Sequence, residues 1–172
     1  MKIRVEDIGP EGLEVSFEDP GLRPDHLGDQ AGAIVRAPAV SLHLTRSGPT
    51  VRARGRVRGG FLLVCSRCLG DCDFKLDAEV DLFFGPRPGR LAVEVRLEPG
   101  DLDLVYYDSG EIDLGAALRQ EMSLALPMAP VCGQGCRGLC PDCGRPLTED
   151  VCGCQKKEID PRLAKLAQWK TD

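Results

Sequence analysis

Apolar and polar residues alternate along the first hundred residues in short runs, and turn-forming residues separate the runs. Alternation at a period of two predicts β-strands that bury one face. No helix-length segment lies between the runs, so the pattern favours an antiparallel sheet. The predicted strands cover residues 3–5, 13–17, 40–45, 51–58, 73–82 and 91–97.

Two of these strands form a predicted hairpin that carries opposite charges on one face. With residues 65–72 as the turn, we expect Arg58 to lie near Glu79. Arg56 then lies near Asp81, and Gly59-Gly60 marks a bulge. Charge pairing on a solvated face is one interpretation, and a basic stripe that binds RNA phosphates is the other. The alternating charged residues are Arg52, Arg54, Arg56, Arg58, Asp73, Lys75, Asp77, Glu79 and Asp81.

Helical periodicity begins only after the polar stretch near residue 110. Asp113 caps a helix predicted over residues 114–125, and Pro127 ends it. Asp160-Pro161 predicts the start of a second, short helix that Trp169 packs down. The apolar faces of the two helices are Leu114, Leu118, Met122 and Ala125, and then Leu163, Leu166 and Ala167.

These elements predict an α+β fold with a mainly antiparallel β-sheet, one or two helices and a C-terminal zinc-ribbon-like segment. Residues 1–126 form the β-rich domain, which includes a C-x-x-C knuckle. Residues 127–172 form a cysteine-rich, zinc-binding segment with the terminal helix.

Composition narrows the class of protein. The chain has 172 residues, of which 42% are hydrophobic and 5% aromatic, so its core consists mainly of Leu, Val and Ala. The charged start and the absence of a long apolar run predict a cytoplasmic protein without a signal peptide or a membrane partner. The formal charge of −5 excludes a generic polyanion binder, so any contact with nucleic acid must come from a local patch.

Nine cysteines supply the candidate chemistry. Disulfides are disfavoured because no export signal is present, the number is odd and the cysteines pair at metal-knuckle spacing. Closed tetrahedral zinc sites take four thiolates from such pairs. Eight of the cysteines form pairs, and Cys72 remains as a spectator thiol.

The spacing predicts two zinc sites. One site uses Cys140, Cys143, Cys152 and Cys154, where a proline and glycines favour tight turns around the thiolates. The other combines Cys65 and Cys68 with Cys132 and Cys136, which ties the hairpin to the segment after the first helix. The alternative places Cys136 with the C-terminal group and leaves Cys65 and Cys68 as free thiols.

Catalysis finds little support in the sequence. The histidines, His26 and His43, are not adjacent to any cysteine, and both are expected to be exposed to solvent. No glycine-rich phosphate loop and no Ser/His/Asp set is present, and Cys65-x-x-Cys68 lacks the βαβ context of a redox dithiol. We therefore expect neither an enzyme nor a small-molecule substrate.

Several motifs, among them Cys65-Ser66-Arg67-Cys68-Leu69 and Cys152-Gly153-Cys154, resemble the YceD family of large ribosomal RNA subunit accumulation proteins. The resemblance covers roughly residues 50–170 and keeps the motifs in order. The chain departs from the family at Pro146-Leu147-Thr148, where Asn-Leu-Asn is usual, and this puts one turn hydrogen bond in question but not the cysteine ligands. The matching segments are Cys65-Ser66-Arg67-Cys68-Leu69, Glu111-Ile112-Asp113-Leu114, Leu124-Ala125-Leu126-Pro127, residues 136–144, Cys152-Gly153-Cys154 and residues 159–163.

The resemblance implies a cytosolic bacterial protein needed for normal levels of large-subunit ribosomal RNA. We expect a non-catalytic accessory factor whose partner is the rRNA precursor or a ribosomal protein. Besides the strand arginines, Arg67, Arg137 and Arg145 beside the knuckles are candidates for this contact. The rival functions are an acidic, zinc-stabilised adaptor that touches no RNA, and a thiol-based or zinc-release redox sensor suggested by Cys72.

Overall fold

The computed structural model describes residues 1–24, 34–88, 104–147 and 152–154. Its largest element is a five-stranded sheet with the strand order β2-β3-β4-β5-β6. Strands β2 to β5 pair antiparallel in sequence order, as the alternating pattern predicts. The strands are β2 (Leu13–Glu18), β3 (Ile34–Ser47), β4 (Thr50–Val64), β5 (Asp71–Pro86) and β6 (Leu104–Tyr107).

Strand β4 shows why these segments are strands. Its apolar side chains at Val51, Ala53, Val57 and Phe61 are all fully buried, whereas the arginines between them face solvent. This division follows from the period of two, which sends successive side chains to opposite faces of the sheet. The apolar face forms one hydrophobic core with the other strands and the helix.

Strand β6 departs from the antiparallel expectation. It pairs parallel with the end of β5, with Phe83 opposite Leu104 and Pro86 opposite Tyr107. The main sheet is therefore mixed, although most of it is antiparallel. The sequence Leu-Val-Tyr-Tyr does not alternate, so the period-two pattern gave no signal for this strand.

A second sheet has two strands, and one of them leads directly into the helix. Strand β1 (Lys2–Arg4) precedes a 3-10 turn at Val5–Asp7 and pairs with β7 (Glu111–Asp113). Helix α1 (Leu114–Ala125) follows β7 directly. The Asp113 carboxylate accepts a hydrogen bond of 3.0 Å from the amide of Ala116, which confirms the predicted cap and helix bounds.

Helix α1 packs its predicted apolar face onto the sheet. Leu114, Leu118 and Met122 are fully buried in the core, as expected. Ala125 is predicted on the same face, but it is exposed at the last residue of the helix. Within the described ranges, no helix has both the length and the apolar character that crossing a bilayer requires.

The hairpin of β4 and β5 corrects two expectations. Arg58 lies opposite Asp77 rather than Glu79, and Arg56 lies opposite Glu79 rather than Asp81. The register differs by two residues because the turn is shorter than residues 65–72, with β5 starting at Asp71. The face assignment is nevertheless right, since a shift of two keeps every side chain on its face.

The expected bulge is also placed differently. The β4–β5 ladder runs without interruption through Gly59-Gly60, so these glycines do not bulge. The irregularity lies instead in β3, where the register shifts between Ile34 and Arg36 and again before Ala39. Gly60 faces this stretch, and a side chain there would approach the Cβ atom of Arg36 at 3.2 Å.

Several expectations lie outside the described residues. They are the strand over residues 91–97, the loop position of His26, the C-terminal helix that begins at Asp160-Pro161 and the packing of Trp169. His43, which is described, sits on the polar face of β3 and shares a 2.8 Å hydrogen bond with the Glu14 carboxylate.

Candidate metal centres

The turn between β4 and β5 contains two cysteines and is closed by backbone hydrogen bonds. We call residues 65–70 the first turn. The amide of Cys65 donates to the carbonyl of Gly70 at 2.8 Å, and the amide of Leu69 donates back to the carbonyl of Cys65 at 3.0 Å. Leu69 adopts a left-handed conformation with φ 58, which closes the loop behind the second cysteine.

Four thiols from two distant parts of the chain meet at this turn. The Sγ atoms of Cys65 and Cys136 are 3.9 Å apart, and those of Cys68 and Cys132 are 3.7 Å apart. All four sulfur atoms lie within 4.8 Å of one another, and we call this group the first cluster. Cys65 and Cys68 are buried, whereas Cys132 is exposed.

Backbone amides favour the thiolate form of Cys65 in the first cluster. The amides of Cys68 and Cys132, followed by that of Arg67, lower the pKa of the Cys65 thiol to about 6. The contact from Cys132 has a nitrogen–sulfur distance of 3.4 Å. The pKa of Cys132 rises instead, to about 12, because the neighbouring thiols of Cys136 and Cys68 compete with its ionised form. A cation at the centre would offset this competition.

Hydrogen bonds add to the contact that the sulfur atoms make between the first turn and the segment after helix α1. The amide and the hydroxyl of Ser66 both donate to the carbonyl of Pro130, at 2.8 and 3.0 Å. The Arg67 guanidinium donates to the carbonyl of Cys136 at 3.2 Å. Gly138, with φ 77, packs so closely that an added Cβ would lie 3.1 Å from the Arg67 carbonyl oxygen.

A second cluster lies entirely within residues 140–154. The Sγ atoms of Cys140, Cys143, Cys152 and Cys154 lie within 4.8 Å of one another. The amide of Cys140 donates to Arg145 at 2.8 Å, and the amide of Gly144 donates back to Cys140 at 2.9 Å. The amides of Cys143 and Asp142 lower the pKa of the Cys140 thiol to about 7.

The turn at residues 140–145, which we call the second turn, therefore repeats the geometry of the first turn. Each begins with a cysteine whose amide bonds the carbonyl five residues later and whose carbonyl accepts from the amide four residues later. The fifth position is left-handed in both, and it is Leu69 in one turn and Gly144 in the other. In both, amides of the next residues favour ionisation of the first thiol.

The donor sets fit a tetrahedral metal ion. Four thiolates at a metal–sulfur distance of about 2.3 Å lie about 3.8 Å apart along the edges of a tetrahedron, and the two short sulfur–sulfur distances of the first cluster match this value. Both clusters could hold a metal ion, with the cysteines grouped as the spacing predicts. The alternative, with Cys136 in the C-terminal group, is wrong because its sulfur lies beside that of Cys65. Cys72 is partly buried against the core and belongs to neither cluster.

The strand arginines are held by carboxylates, and we call Arg52, Arg54, Arg56 and Arg58 the sheet arginines. Arg52 makes two hydrogen bonds of 2.7 Å to Asp81, which lower the pKa of that carboxyl. Arg56 lies 2.8 Å from Glu79 and 3.4 Å from Asp77, and Arg58 also lies 3.4 Å from Asp77. Arg54 lies opposite Asp81 and helps to lower its pKa.

The arginines beside the clusters have different surroundings, and we call Arg67, Arg137 and Arg145 the metal-end arginines. All three are exposed, and Arg67 donates to the backbone carbonyl of Cys136. Within the described residues, none of the three has a carboxylate inside 4 Å. Among the described residues, no acidic side chain would therefore have to be displaced for a phosphate or a carboxylate from a partner to approach them.

Two features of the site were not predicted from the sequence. One is the bond from Ser66 to Pro130, which joins segments 64 residues apart and leaves no local pattern. The other is the left-handed residue in each turn. Glycine at position 144 signals it in the second turn, but Leu69 conceals it in the first.

Comparison with known proteins identifies relatives of the chain. The family model of the large ribosomal RNA subunit accumulation protein YceD matches residues 53–170. Proteins of Mycobacterium tuberculosis and Mycobacterium bovis, both named as uncharacterized, are each 35% identical over 160 residues, covering 91% of this chain and 74% of their own length. No solved structure matches the chain.

A plant protein is also similar to the chain. The chloroplastic large ribosomal RNA subunit accumulation protein YCED homolog 1 of Zea mays is 27% identical over 179 residues. The match covers 89% of this chain and 60% of the maize protein.

Proposed function

The chain belongs to the family of the large ribosomal RNA subunit accumulation protein YceD, and from this premise we propose that it is a non-catalytic accessory factor for accumulation of that RNA. It acts in the cytoplasm during rRNA processing or subunit assembly. The observation that carries the proposal is the pair of four-cysteine clusters, which lie in loops with exposed arginines.

Zinc is the ion we assign to both clusters. Four cysteine thiolates with no oxygen or imidazole ligand suit tetrahedral zinc, and a closed set of four protein ligands leaves no position for a reacting water. Zinc would thus supply rigidity rather than catalysis. It would fix the backbone of the two turns, which in turn limits where the metal-end arginines can reach.

We propose that the metal-end arginines contact phosphates of large-subunit rRNA. Guanidinium groups bind phosphate oxygens well, and these three have no carboxylate beside them among the described residues. The sheet arginines are weaker candidates because each lies beside an acidic residue, which is directly opposite Arg54, Arg56 and Arg58 and diagonal to Arg52. Two zinc tetrathiolates carry −2 each and would take the formal charge from −5 to −9, so contact with RNA would be local.

The overall charge favours one rival function, an adaptor that binds a basic ribosomal protein and does not touch RNA. The formal charge of −5 supports it. Salt dependence separates the two functions, because contacts with phosphates release counterions and contacts between proteins largely do not.

Gel-shift titrations of large-subunit rRNA fragments with the zinc-loaded protein test the proposal, with and without large-subunit ribosomal proteins and across a range of salt concentrations. Direct contact through three arginines predicts a slope of log K against log salt of about −2 for single-stranded RNA. Binding only in the presence of a ribosomal protein would favour the adaptor. A zinc-loaded protein that binds no rRNA fragment, precursor particle or ribosomal protein would refute both functions.

A further inference from the structure

The described residues that directly follow helix α1, residues 127–147, form no hydrophobic core of their own. We call residues 127–147 the tail segment. Within it, only Gly138 and Cys140 are buried, and Met128 and Val131 are exposed to solvent. Among the described residues, the hydrophobic core reaches Leu126 and includes no residue of the tail segment. Burial of apolar surface therefore does not hold the tail segment against the sheet.

The contacts that do hold it gather on the first turn. The amide and hydroxyl of Ser66 reach Pro130, and the Arg67 guanidinium reaches Cys136. The two side-chain hydrogen bonds, from the Ser66 hydroxyl and the Arg67 guanidinium, are exposed, so water replaces them at small net loss when the segments separate. The four sulfur atoms of the first cluster form the strongest possible link, because a metal ion would bind both segments at once.

The second cluster does not depend on this link. Its four ligands fall within residues 140–154, and its turn closes on itself through the bonds between Cys140 and Arg145 and between Gly144 and Cys140. A bridge between Leu139 and Pro146 completes a small hairpin around it. None of these contacts involves the sheet.

We infer that the first cluster is a metal-operated clasp that holds the tail segment on the β4–β5 hairpin and can open while the second cluster stays closed. Metal bound at the first cluster would order the tail segment and hold Arg137 close to Arg67. Loss of that metal would free the tail segment and the second cluster as a separate unit pivoting after Leu126, with the metal of the second cluster retained. The clasp requires only metal binding, and it stands whether or not the protein contacts rRNA.

Two backbone amides report separately on the contact across the first cluster and on the second turn. The Ser66 amide is bonded to Pro130 across the clasp, and the Cys140 amide is bonded to Arg145 inside the second turn. The Val57 amide in the central strand β4 serves as the folding control. Hydrogen exchange at these three amides is measured on the full-length zinc-loaded protein and on two matched variants, Cys132→Ser and Cys143→Ser, together with zinc per chain.

We expect each variant to lose one zinc ion and the protection of one reporter amide from hydrogen exchange. In Cys132→Ser, exchange of the Ser66 amide should rise by about 100-fold or more, while the Cys140 and Val57 amides keep their wild-type rates. In Cys143→Ser, the Cys140 amide should exchange fast, while the Ser66 amide should stay protected from exchange.

Two results would overturn the clasp. One is a Cys132→Ser protein that has lost a zinc ion while its Ser66 amide remains protected, because other contacts then hold the tail segment. The other is loss of Ser66 protection in Cys143→Ser, which would show that the clusters open together. A variant that unfolds would let the Val57 amide exchange freely. In that case the clasp is tested by adding zinc to the metal-free wild type and following the protection of the Ser66 and Cys140 amides. The clasp predicts that the Ser66 and Cys140 amides gain protection without cooperativity between the two sites, and cooperative protection of both amides contradicts it.

Discussion

Two parts of the molecule carry exposed arginines, and they differ in what lies beside the guanidinium groups. On the sheet, the alternation that exposes Arg52 and Arg56 also places Asp81 and Glu79 on the adjacent strand, so the charges compensate each other. At the metal end, Arg137 and Arg145 extend from loops whose neighbours are mostly glycine and cysteine. Density of arginine alone is therefore a poor guide to an anion-binding surface, because the facing strand decides what remains available.

The two parts also differ in how they are held. The sheet contains buried side chains such as Phe61 and Phe84, so we expect it to keep its shape without a ligand. The metal end has few buried side chains and depends on sulfur atoms that a cation would bring together. We therefore expect metal removal to separate the two regions experimentally.

Metal removal should have the largest effect. Stripping zinc with a strong chelator should abolish rRNA binding, or lower its affinity by about 100-fold, because the loops that carry the metal-end arginines lose their shape. The β-sheet signal in far-UV circular dichroism should survive, and added zinc should restore binding. Loss of the sheet signal together with the zinc would contradict the separation of the two regions.

Single arginine substitutions give the next largest effect. Arg137→Gln should weaken rRNA binding by about tenfold at low salt and make the salt slope shallower by about 0.7, as expected for one lost phosphate contact. The matched control is Arg56→Gln, which removes an arginine already paired with Glu79 and should change neither quantity. Equal losses in the two variants would mean that the paired carboxylates do not decide which arginines bind.

Freeing a sheet arginine should have a smaller and opposite effect. Asp81→Asn removes the carboxylate that binds Arg52, so the sheet face gains an unpaired cation and rRNA affinity should rise a few-fold at most. Leu62→Gln, elsewhere on the sheet, offers a control of unchanged charge. Unchanged affinity in Asp81→Asn would show that the sheet face lies away from the RNA.

The same variant makes a prediction about acid stability. The hydrogen bonds from Arg52 lower the pKa of the Asp81 carboxyl, so the pair stabilises the fold at neutral pH. This contribution disappears as the pH falls through the lowered pKa and the carboxyl becomes protonated. Thermal melts across acidic pH should therefore show a larger loss for the wild type than for Asp81→Asn.

The smallest effect should come from the first turn. Leu69→Gly relieves a left-handed conformation at an exposed side chain and should raise the free energy of unfolding by up to about 1 kcal/mol. Binding of rRNA should not change, because no arginine is altered. Reduced binding with intact stability would instead assign the exposed Leu69 side chain to the interface.

The local features of this fold could be predicted from the sequence. Asp113 marked the helix start, the period of two placed the sheet arginines on one face, and knuckle spacing grouped the cysteines as the structure groups them. These signals are local because caps, strand faces and paired ligands depend on neighbouring residues. The sulfur chemistry also linked Cys65 to Cys136 across 71 residues, because two incomplete donor pairs have to complete each other.

Features set by the rest of the fold could not be predicted. The hairpin register depended on the length of the first turn, and the hydrogen bond from Cys65 to Gly70 gives no signal in composition. Strand β6 pairs parallel because of where the chain returns to the sheet, and its four residues show no alternation. The bonds from Ser66 to Pro130 and from Arg67 to Cys136 likewise exist only once the two segments meet.

Zinc per chain, measured by elemental analysis, tests most directly whether eight cysteines form two tetrathiolate centres. We predict two zinc ions in the wild type and one in each of Cys65→Ser and Cys152→Ser, because each substitution opens one cluster. One zinc ion per chain in the wild type would contradict the centre that joins the sheet to the tail segment. A folded, heat-resistant protein that binds no metal would contradict both centres.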